Sequence, residues 1–342
     1  MMRYILKERK TMANSAGVGL PSLSSGDTVR QFLAVNSQIL KVAGVETSDN
    51  DARLLLAQAC QVNLHELDKA LLMGQSLGDL ALVGQNHAGS KVETGLTQEV
   101  ALATLREFVR RRARREPLQY IVGHAPFRFL DLEVGPGVFI PRPETEIVVQ
   151  AGLDWLLGEG SRGPKGPVVV DMCAGSGAIG LALATEVAGL RVWAVEISED
   201  AAVWTRRNFE RYQHEIDRQK SSYRLVIGDA TDSETLADLD GQVDLIVTNP
   251  PYVPQSLVLT QPEVTHHDPP RALYGGSPDG LLIPERIVAR AASLLRTGGY
   301  FVMEHDPSQA EVLRQSVESW GFTDVTTGVD LTGRPRFLNG IR

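Results

Sequence analysis

The sequence predicts an α/β fold, a doubly wound and mainly parallel sheet in the second half of the chain preceded by a smaller helical domain. Three observations carry this. From Pro167 onward, short apolar runs rich in β-branched residues alternate with helical stretches, the pattern of successive βαβ units. Before Pro117 the apolar spacing is helical almost throughout. Four successive strand-like runs end in residues suited to holding a ligand, at the edge of an open sheet where ligands bind.

The strands expected are Val168–Val170, Arg191–Val195, Tyr223–Ile227, Val243–Thr248 and Gly299–Glu304, with Thr323–Val329 and Arg336–Ile341 as a final antiparallel pair. Helices fill the intervals. Ahead of them, residues 1–26 are rich in Ser and Gly and read as a flexible extension. Residues 27–116 form the helical domain. Asp27 is its expected first N-cap and Gly44 its first stop. Further helices are expected over 51–60 and 64–72, and from Thr97 to about Arg115. The interval 74–95 holds five glycines and reads as an inserted loop. The run Arg110-Arg111-Arg112-Ala113-Arg114-Arg115 is either a solvated helix terminus or a patch for an acidic partner or RNA. Residues 117–141 read as a β-hairpin linker. Pro143 and Glu144 then start a helix, and 142–342 is the α/β domain.

Composition narrows the function. A chain of 342 residues that is 43% hydrophobic folds around a real core, and no apolar run approaches a membrane span. Cys60 and Cys173 give neither a disulfide framework nor a metal spacing, so a reducing, cytoplasmic setting is expected. A net charge of −8 argues against broad nucleic-acid binding. His266 and His267 lack further ligands nearby, and no metal is expected.

The chemistry-bearing residues sit at the strand ends. Asp171-Met172-Cys173-Ala174-Gly175-Ser176-Gly177 follows the first strand and opens a helix, a turn in which backbone can approach a ligand closely. Gly175, Gly177 and Gly180 also satisfy a dinucleotide-type spacing, which by itself suits a nicotinamide enzyme equally well. Glu196 at the second strand end can bind both hydroxyls of a ribose, and Asp229, followed by Ala230, can accept from an adenine amino group. The fourth strand ends in Asn249-Pro250-Pro251-Tyr252. The prolines forbid further strand. The Asn249 side-chain oxygen and the Pro250 carbonyl can accept the two hydrogens of a flat NH2 group, with Tyr252 stacked on its plane.

These motifs, with Pro117-Leu118-Gln119-Tyr120-Ile121, Ile140-Pro141-Arg142-Pro143-Glu144-Thr145-Glu146, Ala272-Leu273-Tyr274-Gly275-Gly276, Asp279-Gly280-Leu281 and Asp330-Leu331-Thr332-Gly333-Arg334-Pro335-Arg336, resemble the release-factor glutamine methyltransferases. The resemblance spans the chain from about residue 27. It implies a Rossmann-like, seven-stranded class I methyltransferase domain and a helical substrate-recognition domain. It implies S-adenosylmethionine as cofactor, held by Asp171, Cys173, Ala174, Gly175, Ser176, Gly177, Glu196, Asp229, Ala230 and Asn249. Asn249, Pro250, Pro251 and Tyr252 would bind the substrate, with Asn249, Pro250 and Tyr252 catalytic. The implied substrate is the glutamine of the Gly-Gly-Gln motif in class I peptide-chain release factors, with no stable nucleic acid and no membrane as partner. Five positions depart from the family pattern. Cys173 replaces the first loop glycine, Glu196 an aspartate, His305-Asp306 the Ile-Gly of an E-I-G triplet, and Ala230 an aromatic. Competing readings are a nucleobase (adenine N6) or ribosomal-protein amino-methyltransferase, which would share the Asn249 turn, and a nicotinamide oxidoreductase, which would leave that turn without a role.

Overall fold

A computed structural model describes residues 23–87, 97–158 and 166–342. Of the predicted extension over 1–26, residues 1–22 lie outside the described residues, while 23–26 lead into a turn closed by the Asp27 N–H donating to the Ser24 carbonyl. The chain divides into two compact units, one ending at Val122 and the other starting at Gly123.

The first unit is helical: α1 Val29–Val42, α2 Ser48–Cys60, α3 Leu64–Met73, α4 Leu77–His87, α5 Gln98–Ala113 and α6 Leu118–Val122. Its core joins Phe32 and Leu40 of α1, Leu55 and Leu56 of α2, Leu67 of α3, Leu80 of α4 and Leu105 of α5. The first cap is Thr28, in a capping box with Gln31; Asp27 instead bonds back to the Ser24 amide and hydroxyl. The expected loop over 74–95 is corrected, because much of it is α4. Ser76 and Asp79 cap this helix reciprocally, which outweighs the helix-weakening glycines. Gly84 is there for contact, since a Cβ on it would lie 1.9 Å from the Cys60 carbonyl oxygen. Leu118–Val122 is likewise a short helix, and the hairpin begins only at His124.

The arginine run is largely consumed within the unit. Arg110 pairs with Glu107, Arg111 with Glu116 and buried Arg112 with Asp51, while Arg115 donates to the Gly44 carbonyl. Cations committed in this way favour a helix terminus over a phosphate-binding patch.

The second unit opens with the hairpin β1 His124–Phe127 and β2 Leu130–Glu133, followed by α7 Thr145–Gly158. Then come β3 Val168–Met172, α8 Ala178–Glu186, β4 Arg191–Glu196, α9 Glu199–Arg218, β5 Ser222–Ile227 and β6 Val243–Thr248. After two short helices, α10 Pro262–His267 and α11 Pro270–Leu273, the chain ends with α12 Leu282–Leu294, β7 Leu295–Glu304, α13 Ala310–Ser319, β8 Thr323–Val329 and β9 Pro335–Ile341. The seven strands run in the order β5-β4-β3-β6-β7-β9-β8. The first five are parallel, and β9 is antiparallel to both neighbours.

Alternation explains the two-faced core. Val169, Val192, Leu245 and Val247 face α7, α8 and α9, whereas Val168, Val170, Val243 and Ile246 face α12 and α13. Central β3 is buried at all five positions, as a strand covered on both faces must be. The chain steps outward from β3 to β4 to β5 and then returns to the other side of β3 as β6. That reversal opens a crevice beyond the carboxyl ends of these strands.

Candidate active site

A cavity of about 490 Å³ occupies that crevice, within the size range of small-molecule sites. Cys173, Ala174, Gly175 and Ser176 line it from the end of β3, Glu196 from β4, Asp229 and Ala230 from β5, and Asn249 to Tyr252 from β6. The rim read from the sequence is thus brought together on one surface. Asp171 and Gly177 do not line it.

Asp171 lies beneath the loop, fully buried. Its Oδ2 accepts the Gly180 N–H at 2.8 Å, while Oδ1 has no partner. Burial raises this carboxyl to about 8, and the Gly180 bond only partly opposes the shift. Its role is to hold the loop against the start of α8.

The loop itself is clamped from several sides. Glu196 Oε2 accepts from Gly175 N, and Oε1 from Ser198 N, both at 2.7 Å. From α9, Thr205 Oγ1 donates to the Gly175 carbonyl at 2.6 Å, and Asn208 Nδ2 donates to the Ser176 carbonyl at 3.0 Å. Thr205 and Asn208 are fully buried and were missed in the sequence. Their signal was present, as polar residues at helical spacing after Ala201 in the buried stripe of α9. A Cβ on Gly175 would meet nothing within 4 Å, so the loop leaves open space beside its backbone.

Asn249 is held by a relay absent from the sequence reading. Its Nδ2 donates to Thr145 Oγ1 at 3.1 Å, and Thr145 Oγ1 donates to Glu304 Oε2 at 2.7 Å. The other Glu304 oxygen accepts from the Tyr252 hydroxyl at 3.0 Å. Thr145 is the first residue of α7 and Glu304 the last of β7. A carboxylate ending an apolar strand was the available signal for Glu304, the same one that marked Glu196. Burial pushes the Glu304 carboxyl up against the hydrogen bonds from Thr145 and Tyr252 and the charge of Arg336. Burial beside Glu304 also pushes the Tyr252 phenol up, so it stays protonated. Among the described residues no donor reaches Asn249 Oδ1 or the Pro250 carbonyl, and both residues border the cavity.

The segment after Tyr252 folds back on the turn. Gln309 Nε2 donates to the Tyr252 and Asp279 carbonyls at 2.8 and 2.9 Å. Gly280, with φ of +77°, has no room for a side chain, because a Cβ would lie 2.2 Å from the Tyr252 carbonyl oxygen. Arg142 crosses to buried Asp268 at 2.6 Å and lies 4.9 Å from the Phe139 ring centroid. His266 and His267 meet ring to edge at 6.4 Å.

The sequence matches two family models, the Methyltransferase small domain over residues 155–266 and the PrmC N-terminal domain over residues 94–123. A release factor glutamine methyltransferase of Bifidobacterium longum is 54% identical over 302 residues, covering 88% of this chain and 95% of that protein. The chain belongs to the release factor glutamine methyltransferase family. A second member, from Mycolicibacterium smegmatis, is 40% identical over 92% of this chain and 98% of its own length. A relative from Streptomyces pristinaespiralis, 36% identical over 84% of this chain and 86% of its own, is a 4-amino-L-phenylalanine/4-methylamino-L-phenylalanine methyltransferase.

Family membership frames the departures. Cys173 takes φ of +63°, the left-handed region where glycine is at ease and a side chain costs about 1 kcal/mol. Its side chain packs against the core under β3. His305 is fully buried, bonded through Nδ1 to the Asp306 carbonyl with Nε2 unpartnered, and burial lowers its pKa so that it stays neutral.

Proposed function

We infer that this chain transfers a methyl group from S-adenosylmethionine to the side-chain amide nitrogen of the Gly-Gly-Gln glutamine in class I release factors. The observation carrying this reading is the Asn249 turn. Its amide nitrogen is held inward by Thr145, so its oxygen and the Pro250 carbonyl are left as two acceptors beside a ligand-sized cavity. A primary amide offers two N–H donors to that pair.

The cavity residues fit the cofactor. Glu196 has both oxygens on backbone amides yet retains lone pairs toward the cavity it lines, enough for two ribose hydroxyls. Asp229 engages Thr231 through Oδ1 only, leaving Oδ2 for an adenine amino group. Open space beside Gly175 admits a bulky group. Across the rim from β5 to β6 are three strand spacings, roughly 14 Å, which suits an elongated nucleoside. When bound, S-adenosylmethionine supplies an electrophilic methyl on a sulfonium, so no metal is called for.

An amide nitrogen is a poor nucleophile because its lone pair is delocalised into the carbonyl. Asn249 and Pro250 hold its two hydrogens and stabilise the positive charge that develops on them, while the ring of Tyr252, anchored by its hydroxyl, borders the plane. The nitrogen accepts the methyl group as the methyl's bond to sulfur breaks, and one proton leaves the nitrogen to solvent. This is catalysis by positioning and preorganised dipoles. Residues 27–116, which carry no glycine loop or acid-tipped strand, recognise the release factor. The enzyme acts in the cytoplasm without stable nucleic-acid or membrane partners. Among the described residues no helix is long and apolar enough to cross a membrane.

The test is transfer of label from S-adenosylmethionine to purified release factor and duplex DNA offered side by side. Label is expected in the release factor. Label entering DNA instead would overturn the substrate assignment.

A further inference from the structure

An asparagine amide has nearly the same shape in either orientation, but the two orientations recognise opposite chemistry. With its oxygen outward it accepts from an NH2 group; with its nitrogen outward it donates to a carboxylate. The geometry points to Thr145 and Glu304 as positioning residues that lock Asn249 with its oxygen outward and so set the site for an amide. This rests on the function inferred above and extends it to two residues that act through Asn249, of which Thr145 also borders the cavity.

Glu304, 2% exposed, lies between the hydroxyls of Thr145 and Tyr252 and near the charge of Arg336, surroundings in which its carboxylate serves as the acceptor. One oxygen takes the Tyr252 hydroxyl proton and the other the Thr145 hydroxyl proton. Thr145 has a single proton, so toward Asn249 it offers only lone pairs. The group facing it must then be the Asn249 NH2, as observed at 3.1 Å. Flipping the amide would set Oδ1 against those lone pairs with no proton between. The polarity therefore runs in one direction from Asn249 through Thr145 to Glu304. The same carboxylate anchors the ring of Tyr252, so Glu304 ties down both ends of the Asn249-to-Tyr252 turn.

The test uses the full chain with release factor and three variants. Thr145→Val removes the hydroxyl at almost constant shape, and Thr145→Ser keeps it. Glu304→Gln sets a donor against a site that already holds two. Thr145→Val and Glu304→Gln are each expected to lower kcat by about 10- to 100-fold, somewhat below the effect of losing a direct polar contact. S-adenosylmethionine affinity should stay within about 2-fold of wild type, and Thr145→Ser should recover most of kcat. Thr145→Val combined with Asn249→Ala should be no slower than Asn249→Ala alone, because nothing remains to be positioned. In addition, the Asn249 side-chain NH2 signal, followed by selective 15N labelling, should shift in Thr145→Val and return in Thr145→Ser. Wild-type kcat in Thr145→Val, multiplied effects in the double variant, or failure of Thr145→Ser to rescue would overturn the proposal. If the wild-type enzyme leaves the release factor unmethylated, the inferred function fails. The amide signal then decides the relay by itself, an unmoved signal in Thr145→Val refuting it.

Discussion

Replacing Glu196 by alanine should weaken S-adenosylmethionine binding without slowing the saturated enzyme. Glu196 is 7% exposed, so its hydrogen bonds are shielded from water. Two of the roughly four lone-pair sites of a carboxylate are used by the amides of Gly175 and Ser198, each at 2.7 Å. The remaining two face the cavity and are assigned to the ribose hydroxyls. Charge-assisted bonds contribute about 1.5–3 kcal/mol each, and part of the loss is recovered when water reaches the site. The net expectation is about 2–4 kcal/mol, or about 30- to 1,000-fold in Kd. Titration calorimetry reads this directly. At saturating cofactor kcat should fall by less than about 3-fold, since Glu196 stands two strands from Asn249 and distant changes act independently. An unchanged Kd would remove Glu196 from the cofactor site, and a lost kcat at unchanged Kd would give it a different role.

Asp171 makes stability pH-dependent. Its folded-state pKa, about 8, stands above the ordinary value of about 4, so its contribution is fully present below about pH 4 and is lost as pH rises through about 8. Asp171→Asn should remove this loss, leaving the variant more stable than wild type at pH 8.5 and similar at pH 5 in urea melts, with cofactor affinity little changed. Cys60 is buried, and burial raises its thiol to about 12, so it should not react with a thiol reagent at pH 8 until the protein is unfolded. Asp51→Ala removes the carboxylate that faces the buried guanidinium of Arg112 and should destabilise the helical unit by about 3–5 kcal/mol, visible as a lower melting temperature. A chain truncated to begin at Pro117 should bind S-adenosylmethionine yet methylate release factor poorly; full activity would relieve the helical region of its recognition role.

The sheet was legible because its strands are short apolar runs bounded by turn residues, and because the cavity-lining residues stand at strand ends, where position along the sequence already fixes their place. Asn249, Glu196, Asp229 and the Gly175 loop were found in this way. What escaped depends on contacts between distant segments. Thr145 and Glu304 meet 159 positions apart, and no local spacing links them. Thr205 and Asn208 look like ordinary helix residues until the loop carbonyls they bind are in view. Helix α4 was hidden by its glycines, of which Gly84 serves close approach to the Cys60 carbonyl and not a turn. Asp171 was placed one layer too high. It sits at the strand end like the others, but its side chain faces inward to the amide of Gly180.

Single-turnover transfer from labelled S-adenosylmethionine to release factor by the Asn249→Ala variant tests the central claim most directly. The chemistry is assigned to an oriented pair of acceptors and to no base, so removing one acceptor should slow transfer by about 10²–10³ while cofactor Kd remains within about 2-fold of wild type. Transfer at the wild-type rate, or a loss explained wholly by weaker cofactor binding, would contradict it.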